Sequence, residues 1–370
     1  MEKTGIIDKV RATIKAFASG NIKQPLSEQS GVTTSFSDVI QWYQNSRNLF
    51  PDDLTDHYLR SSIFSPIVQE LVSFFTGRGF ESSDASVKAL IESANRKESL
   101  RTVFKGALTN WTLTGNAFIM MAFDVSGTWI LLNNVHAINC RLSNRNSVFY
   151  RDSWKTYSGE VAEVETLIFP AVTKRKGVMY SFLHIKDDVP GFPNYAPPYW
   201  IAGKENSSIP ELVTNWNSKR IKSGFSVAGF IQDPAVDGDD AATQAAIDTI
   251  NEAYSGEDGV GKMMFVQAGG KITMLDKLFD MDWTVFKKDA KSTLHTDMRF
   301  PASLMGDYGE KGFSKDKGQT DYNLFKPFME DAQQLNLEPI AKAVNEITGW
   351  DTSDLKVNNI NPFQDERKEL

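Results

Sequence analysis

The chain of 370 residues has a single cysteine, Cys140, which lies in an apolar stretch. One cysteine excludes an internal disulfide framework and any cluster of metal-ligating cysteines, and it suits a reducing cytosol. No stretch approaches the roughly 18 uninterrupted apolar residues of a membrane-spanning helix. Met1–Phe17 has apolar residues near helical spacing with lysines and an arginine between them, but it lacks the continuous apolar core of a signal peptide. We therefore expect a soluble protein, made in the cytoplasm, with no membrane segment.

The sequence also lacks a basic tail. Its 47 acidic and 40 basic residues are scattered along the whole length and give a formal net charge of −7. Because tight nucleic-acid binding needs concentrated positive charge, we expect any contact with DNA to be loose or transient. The hydrophobic content of 41% is ample for a substantial core. The length predicts one elaborated domain with appendages, or two domains.

Signatures of catalysis are weak. Gly256–Lys262 has the spacing of a phosphate-binding loop, but Met263 stands where a serine or threonine must bind magnesium. The predicted order around it is helix then strand, the reverse of a working loop, so a glycine-rich turn is the better explanation. The sequence has no Gly-x-Ser-x-Gly elbow, and its carboxylates suggest no catalytic constellation. We predict that the chain is not an enzyme; the alternative is a nucleotide-dependent enzyme that uses Gly256–Lys262.

Metal-binding motifs are missing as well. The four histidines are widely spaced, and none belongs to a two-histidine metal motif: His57, His136, His184 and His295. The acidic run of Asp237, Asp239 and Asp240 lacks the alternate-position ligands and distal glutamate of a calcium-binding hand. Helix capping explains this run better. We predict no metal and no cofactor.

Hydrophobic periodicity predicts an α+β fold. After a polar segment, Ser19–Asp38, a helical stripe runs from Ile63 to Phe75 and stops at Gly77, and two more helical stretches lie within Val87–Leu113. Short apolar runs bounded by Gly, Asn and Ser then predict antiparallel strands packed on these helices: Ala117–Phe123, Trp129–Leu132, Ala137–Leu142, Val164–Phe169 and Met179–Ile185. The Pro-rich Asp187–Trp200 can continue neither a helix nor a central strand, so we place a boundary there.

The next part of the sequence predicts a helix, a β-α-β insert and a second helix. Ser208 and Glu211 have capping-box spacing at the start of the first helix, and Gly224 is a good stop. The insert has strands Phe225–Ile231 and Lys262–Gln267, with a helix between them that runs to about Tyr254. The second helix, Trp283–Met298, carries lysines on the face opposite its apolar stripe, and Pro301 closes it.

The last part predicts an exposed loop and a long helical region. Asp307–Asp321 is rich in Gly and Lys and cannot bury much, so it should be an exposed, mobile loop. The helical region from Leu324 to Ile347 should be interrupted at Pro327 and Pro339, because proline removes an internal hydrogen bond.

Several segments resemble, in consistent order, the portal proteins of tailed bacteriophages. Ala107–Ala122 resembles the family's helix that ends in Gly-Asn and turns into a strand, here at Gly115 and Asn116. Tyr195–Ile231 resembles the Pro-rich entry, helix and strand that lead to the clip, and Phe300–Gly306 resembles the Pro-x-x-Leu-x-Gly signature after the second stem helix. The closing helical region resembles the family's long terminal helices with a central proline. The resemblance spans roughly residues 36–350.

The resemblance implies an α+β portal fold with a helix-rich, β-containing wing, two stem helices that flank a β-α-β clip, and kinked C-terminal helices. The implied parts are an N-terminal helix and flexible arm (1–37), the wing (38–200), the first stem helix (201–224), the clip (225–275), the second stem helix (276–306), a tunnel loop (307–321), and a C-terminal wing helix with a short crown (322–370).

The resemblance also implies a non-enzymatic ring, commonly of twelve copies at one capsid vertex, which serves head–tail attachment, double-stranded DNA packaging and genome ejection. The implied partners are neighbouring copies, the major capsid protein, the large terminase, a head-completion or adaptor protein, and double-stranded DNA without sequence specificity. The expected location is the virion, after assembly in the host cytoplasm. A different head–tail connector is a further alternative.

Three residue groups are implied to carry these contacts. They are a DNA-facing tunnel loop (Lys311, Lys315, Lys317), a stem surface at the channel (Lys287, Lys288, Lys291), and a clip surface for terminase or adaptor (Asp237, Asp239, Asp240, Glu257, Asp258). Weak contacts suit a channel in which DNA must slide, because each phosphate contact adds salt-dependent affinity.

Overall fold

The structure is a computed structural model, and it describes residues 39–42, 48–155, 164–223, 229–232, 271–274, 283–307, 312 and 314–363. The described residues belong to two compact units. The first contains the residues up to Leu54 together with Gly79–Pro198 and Gln333–Asn358. The second contains Thr55–Arg78, Tyr199–Ala332 and the residues from Asn359 onward. The predicted N-terminal helix and arm, and most of the predicted clip, lie outside the described residues.

Seven α-helices occur among the described residues. They are α1 (Phe50–Arg60), α2 (Phe64–Thr76), α3 (Ala85–Glu92), α4 (Leu100–Thr114), α5 (Lys204–Ser223), α6 (Trp283–Asp297) and α7 (Lys315–Thr348). The predicted stop of α2 is confirmed, because Gly77 follows its last residue with φ of 63°. None of the described helices is long and apolar enough to cross a membrane.

The strands are short and pair antiparallel, as predicted. They are β1 (Phe80–Glu81), β2 (Asn116–Phe123), β3 (Ile130–Val135), β4 (Cys140–Ser143), β5 (Ser147–Tyr150), β6 (Val164–Leu167), β7 (Thr173–Arg175), β8 (Val178–Lys186), β9 (Gly229–Gln232), β10 (Lys271–Met274) and β11 (Lys356–Val357). In the first unit, β3-β2-β8-β7 and β4-β5-β6 form sheets, and β1 pairs with β11. In the second unit, β9 pairs with β10. The mixed helix and sheet content confirms the α+β class.

The core of the first unit lies between α4 and the sheet centred on β2. One face of α4 is fully buried, and it includes Val103, Phe104, Ala107, Leu108 and Trp111. Gly115 then ends the helix in the left-handed conformation, with φ of 74°. A side chain at Gly115 would come within 2.5 Å of the carbonyl oxygen of Ala196, so this position needs glycine for both its backbone conformation and its space.

A buried arginine anchors residues 48–52, just before the chain leaves the first unit after Leu54. The Arg141 guanidinium donates to the carbonyls of Cys140 and Asn48 at 2.8 and 2.7 Å, and it lies 3.5 Å from the Asp52 carboxylate and 5.0 Å from the ring centre of Trp154. Burial lowers the Arg141 pKa to about 10 and raises the Asp52 pKa, against the opposing effect of each on the other. The pair therefore holds residues 48–52 on the strand that contains Arg141.

Some predictions for the first unit need correction. Ala137–Asn139 is a 3₁₀ turn, and only Cys140–Ser143 of the predicted strand is extended. The side chain of Arg141 satisfies three carbonyls in and around this turn, which stabilises a bend that periodicity cannot show. Helix α1 and strands β5 and β7 were not predicted, because none of them has an apolar pattern that is both long and regular.

The start of α5 also differs from its prediction. The helix begins at Lys204, directly after a 3₁₀ turn at Ile201–Gly203, so the proposed capping box is wrong. Ser208 lies inside the helix, where its hydroxyl donates to the Lys204 carbonyl one turn earlier at 3.1 Å. Pro210 is accommodated within α5 and does not interrupt it.

Two predictions for the C-terminal half are wrong. Helix α7 runs without interruption through Pro327 and Pro339. Each proline costs about 3 kcal/mol in a helix interior, but a continuous buried face outweighs that cost, with Met329, Ala332, Ile340, Ala343 and Val344 in it. The predicted tunnel loop is not a loop throughout, because its last seven residues, 315–321, are the first turns of α7.

Candidate functional site

Helices α5 and α6 form an antiparallel pair in the second unit. They pack along each other, and Asn206 near the start of α5 donates through Nδ2 to Oδ2 of Asp297, the last residue of α6, at 2.8 Å. Residues 224–228 separate α5 from β9, and residues 275–282 separate β10 from α6. β9 and β10 pair antiparallel, with Ile231 opposite Ile272. With 20 residues, α5 is about 30 Å long.

At the base of this helix pair, the backbone of Gly203 packs closely against the Asp297 side chain. A side chain at Gly203, just before α5, would collide with the Cβ, Cγ and Oδ2 atoms of Asp297. Because the Cβ atom is among them, rotation of the aspartate could not relieve the collision. Gly203 therefore permits the approach that lets Asn206 and Asp297 bond.

A polar cluster fixes the first turns of α5 to α1. His57 Nε2 lies 2.6 Å from the hydroxyl of Ser207, and the hydroxyl of Ser61 donates to the Ser207 carbonyl at 3.1 Å. Burial is the main cause that lowers the His57 pKa, and the nearby Lys204 charge adds to it. The neutral imidazole is thus favoured at this junction.

Helix α6 has the two faces that its sequence predicts. Ala290, Leu294 and Met298 are buried on one side. Lys288 is exposed and Lys287 and Lys291 are partly exposed, on positions outside that stripe. Lys291 Nζ donates to Asp307 Oδ2 at 2.7 Å, and both side chains are about two-fifths exposed, at 40% and 44%. This is a solvent-accessible basic surface, and its Lys291 contacts a carboxylate in the segment that follows α6.

The Phe300–Gly306 motif makes a compact turn after α6. Pro301 is extended, Ala302–Met305 is a 3₁₀ turn, and Gly306 adopts the left-handed conformation with φ of 80°. The Ser303 hydroxyl donates to Asp321 Oδ2 at 2.6 Å, which links this turn to the first turns of α7. The motif therefore redirects the chain from α6 into α7.

Aromatic side chains support this turn. Phe300 packs 5.2 Å from Phe325 and 5.7 Å from Phe74, and Phe328 packs 5.6 Å from Phe75 and 5.2 Å from Tyr199, measured between ring centres. Their tilted and edge-to-face arrangements are the favourable geometries for aromatic rings. They pack the turn that follows α6 against α2 and α7 within the second unit.

A histidine at the end of α6 contacts the same turn. His295 is 6% exposed, and its Nδ1 donates to the Phe300 carbonyl at 2.9 Å. Burial is the main cause that lowers the His295 pKa, with a further contribution from Lys291, while Asp307 acts in the opposite direction. Neutral His295 thus links the last turn of α6 to the backbone of the turn that follows it.

The structure brings some predicted residues together and leaves others apart. Lys287, Lys288 and Lys291 share the solvent side of α6, whereas Lys315 and Lys317 lie exposed in the first turn of α7. Lys311 and the clip residues Asp237, Asp239, Asp240, Glu257 and Asp258 lie outside the described residues, and so does Gly256–Lys262. Among the described residues, no three His, Cys, Asp or Glu side chains form a group that could hold a metal ion.

Sequence reasoning missed the residues that set the geometry of the helix pair. The pattern around Asp297 assigns it only to a polar face, and nothing in the local pattern of Gly203 and Asn206 is unusual. Their roles depend on partners about 90 residues away. The Gly-Asn motif at Gly115 and Asn116 is visible in the sequence, but the local sequence does not reveal that its partner is Ala196.

These elements define a class of fold: a helix-and-strand unit together with a unit in which an antiparallel helix pair is linked through a pair of strands. The same fold occurs in chains of gene transfer agent particles. A chain in the "Virion of native gene transfer agent (GTA) particle" matches with a TM-score of 0.55 and 13% identity, over 86% of this chain and 84% of that chain. A chain in the "Neck of native GTA particle", computed with twelvefold symmetry, matches with a TM-score of 0.53 and 13% identity, over 96% and 91%.

A crystal structure of an HK97 family phage portal protein from Corynebacterium diphtheriae matches with a TM-score of 0.44 and 9% identity, over 70% of this chain and 81% of that chain. No protein-family model matches the sequence, and no curated protein matches it either. At 13% identity, the likeness to the chains of the gene transfer agent virion and neck shows a shared fold.

Proposed function

We propose that this chain is a portal subunit that assembles, with copies of itself, into a ring at one vertex of a phage-like particle. The observation that carries the proposal is the fold shared over 96% of the chain with a neck chain whose structure has twelvefold symmetry. Ring symmetry requires each copy to present complementary surfaces to two neighbours, and a fold of this size can supply them. The twelvefold symmetry of that neck structure supports twelve copies as the proposed number.

In this proposal, α5 and α6 are the two stem helices. Their antiparallel packing supports this role, because such a pair leads the chain out along one helix and back along the other. In this proposal, β9 and β10 are the described part of the clip between them. The Gly203 approach and the Asn206–Asp297 hydrogen bond fix the pair at its base. The helices and sheets of the first unit would belong to the wing.

The basic surface of α6 and the lysines at the start of α7 would face double-stranded DNA. Lys287, Lys288 and Lys291 lie on the solvent side of α6, and Lys315 and Lys317 are exposed. Twelve copies would concentrate this positive charge around an axis, even though each subunit has a net charge of −7. Lysines contact phosphates without reading bases, so DNA would slide without sequence preference.

The ring would act as a conduit and an attachment site without catalysing a reaction. Terminase would drive DNA through it during packaging, and a head-completion or adaptor protein would later bind the clip, with Asp237, Asp239, Asp240, Glu257 and Asp258 as candidate contacts. The major capsid protein would surround the wing. The expected location is the virion, after assembly in the host cytoplasm.

Electron microscopy and native mass measurement of the purified full chain test the ring. We expect closed rings of about twelve subunits, the number that the twelvefold neck structure suggests. A chain that stays monomeric at high concentration, both alone and with capsid protein, would contradict the proposal.

Salt-dependent DNA binding by the rings tests the basic surface. Changing Lys287, Lys288 and Lys291 together to glutamine should lower the slope of log affinity against log salt, by about 0.9 for each phosphate that is no longer neutralised. The control changes Lys88, Lys97 and Lys105, which are exposed in the first unit, to glutamine and alters the net charge equally. Equal slopes in both triple variants would show that the lysines of α6 do not contact DNA.

A further inference from the structure

The C-terminal residues Asn359–Phe363, here called the C-terminal strap, lie against α7. Asn359 Nδ2 donates to Glu330 Oε1 at 3.4 Å, and the Phe363 ring sits against Gly318, twelve residues earlier in α7. The strap therefore runs antiparallel to the helix and ends over its first turns. All of these residues belong to the second unit.

Gly318 leaves the space that the Phe363 ring occupies. A Cβ atom at Gly318 would lie 2.5 Å from two carbons of the ring, far inside van der Waals contact. Gly318 is buried although its neighbours in the first turn of α7 are exposed. Its role is the space it leaves, because the position is helical and needs no unusual backbone conformation.

The first turns of α7 are poorly helical by sequence alone. Glycine in a helix costs roughly 1 kcal/mol relative to alanine. Lys315 and Lys317 place positive charge at the positive end of the helix dipole, which Asp316 in the same turn offsets only in part. The composition of this segment favours a loop, yet the structure shows a helix. Locally, the Ser314 hydroxyl accepts from the Lys317 N–H at 3.4 Å. Two contacts from elsewhere add to it, the Phe363 ring on Gly318 and the Ser303–Asp321 hydrogen bond.

We infer that Phe363 is a positioning residue that keeps the first turns of α7 helical and thereby fixes where Lys315 and Lys317 stand. With the ring in place, this segment is helix; with the ring displaced, it becomes the mobile lysine loop that its composition favours. The DNA-related consequence rests on the proposed portal function, whereas the structural step does not. The strap would thus set how far these two lysines reach toward DNA.

Hydrogen exchange of the full chain, read on peptides that cover residues 315–321, tests the structural step. Phe363→Ala should speed exchange there roughly tenfold or more, whereas peptides of α4 and the thermal midpoint of the protein should change little. Phe363→Tyr keeps the ring and should restore slow exchange. The matched control is Leu324→Ala, which truncates an apolar side chain of the same helix that is 75% exposed; it should leave this exchange unchanged.

Gly318→Ala gives the sharper result, because intrinsic propensity and the strap predict opposite signs. With Phe363 present, the added methyl group should displace the ring and speed exchange of residues 315–321. In the Phe363→Ala background, the same change should slow exchange, since alanine is then only a better helix former. Slower exchange in both backgrounds, or no effect of Phe363→Ala, would overturn the inference.

The DNA-related consequence is measured separately on assembled rings. Phe363→Ala rings should hold DNA with an altered salt dependence, while Phe363→Tyr rings should match the unchanged protein. If no rings form, the portal proposal fails and the exchange results still decide the role of Phe363. If rings form and the exchange results are negative, only the inference fails.

Discussion

Asn116 holds the backbone of Ala196 at both of its polar groups. Its Oδ1 accepts from the Ala196 N–H at 3.2 Å, and its Nδ2 donates to the Ala196 carbonyl at 2.8 Å. The same Oδ1 lies 3.0 Å from His184 Nε2. Next in the chain, the Tyr195 ring stacks on Trp42 at 4.0 Å, and its hydroxyl accepts from Leu142 N–H. One Pro-rich segment is thus fixed within the first unit, immediately before Pro198, the last residue of that unit's Gly79–Pro198 portion.

Asn116→Leu should lower the free energy of unfolding by about 2–4 kcal/mol. The leucine has a similar volume but leaves the Ala196 N–H and carbonyl without their partners, and each such buried group costs about 1–3 kcal/mol. Urea unfolding measures the change. The control is Asn133→Leu on the neighbouring strand β3, where the side chain is only partly buried. This variant should change the free energy of unfolding by no more than about 0.5 kcal/mol. Equal effects of the two variants would contradict the role of Asn116.

His184 should make the first unit sensitive to mild acid. Burial lowers its pKa to about 3, with a smaller effect from Lys186. Since its Nε2 faces the acceptor Oδ1 of Asn116, the neutral form with the proton on Nε2 fits this site. Below pH 6.5 the unfolded chain binds a proton that the folded chain binds only near pH 3, so stability falls as pH falls through this window.

The contribution of His184 can be separated by comparing stability at two pH values. Between pH 7 and pH 5, His184 should lower the free energy of unfolding by about 2 kcal/mol. His184→Gln should remove that part of the pH dependence. His136→Gln changes an exposed histidine and serves as the control. Parallel pH profiles for His184→Gln and the unchanged protein would show that His184 does not titrate as expected.

Arg141→Met should be among the most damaging single changes in the first unit. It removes the charge beside Asp52 and leaves a buried carboxylate without its ion-pair partner, a loss of about 3–5 kcal/mol at neutral pH. The Asp52 pKa, already raised by burial, should rise further without the arginine. The penalty should therefore shrink as pH falls and Asp52 takes a proton.

Chemical unfolding at pH 7 and at pH 4 distinguishes these effects. The difference between Arg141→Met and the unchanged protein should be smaller at pH 4. Arg145→Met, at an exposed position nearby, is the control and should cost little at either pH. A penalty that does not depend on pH would mean that poorer packing outweighs the missing charge.

Gly203→Ala should disturb the base of the α5–α6 pair. The added methyl group would collide with Asp297, and overpacking of this kind costs about 1–3 kcal/mol. Asp297→Gly removes the colliding side chain, so the double variant should lose less stability than the sum of the two single variants. Thermal unfolding measures all three, with Ala202→Ser at the exposed neighbouring position as the control. Additive losses would mean that the two residues do not meet.

Much of the fold could be read from local pattern. The stripe from Ile63 to Phe75 and the stop at Gly77 predicted α2 within one residue at each end, because burial of one helix face imposes a regular spacing. The strand that follows Gly115 was equally clear. Helix α1 was missed, since it is a mostly polar segment whose few buried residues form no stripe.

The candidate site was predicted less completely. The lysines of α6 were placed correctly on the solvent face, since alternation with buried residues is a local property. The first turns of α7 were predicted to be a loop, and the local sequence could not show that Phe363 packs on Gly318 or that Ser303 bonds Asp321. For the same reason, the local sequence around Asp297 does not show that its partner is Asn206.

The sequence by itself determined the α+β class, the helix and strand periods and the two-faced helix α6, because each depends on neighbours within a few residues. Only the tertiary structure decided that Gly203 meets Asp297, that Asn116 holds Ala196, and that Phe363 covers Gly318. These pairs lie far apart along the chain, and no local propensity encodes which distant surface will fill a given gap. Close packing fixes them, since an added methyl group at either glycine would have no room.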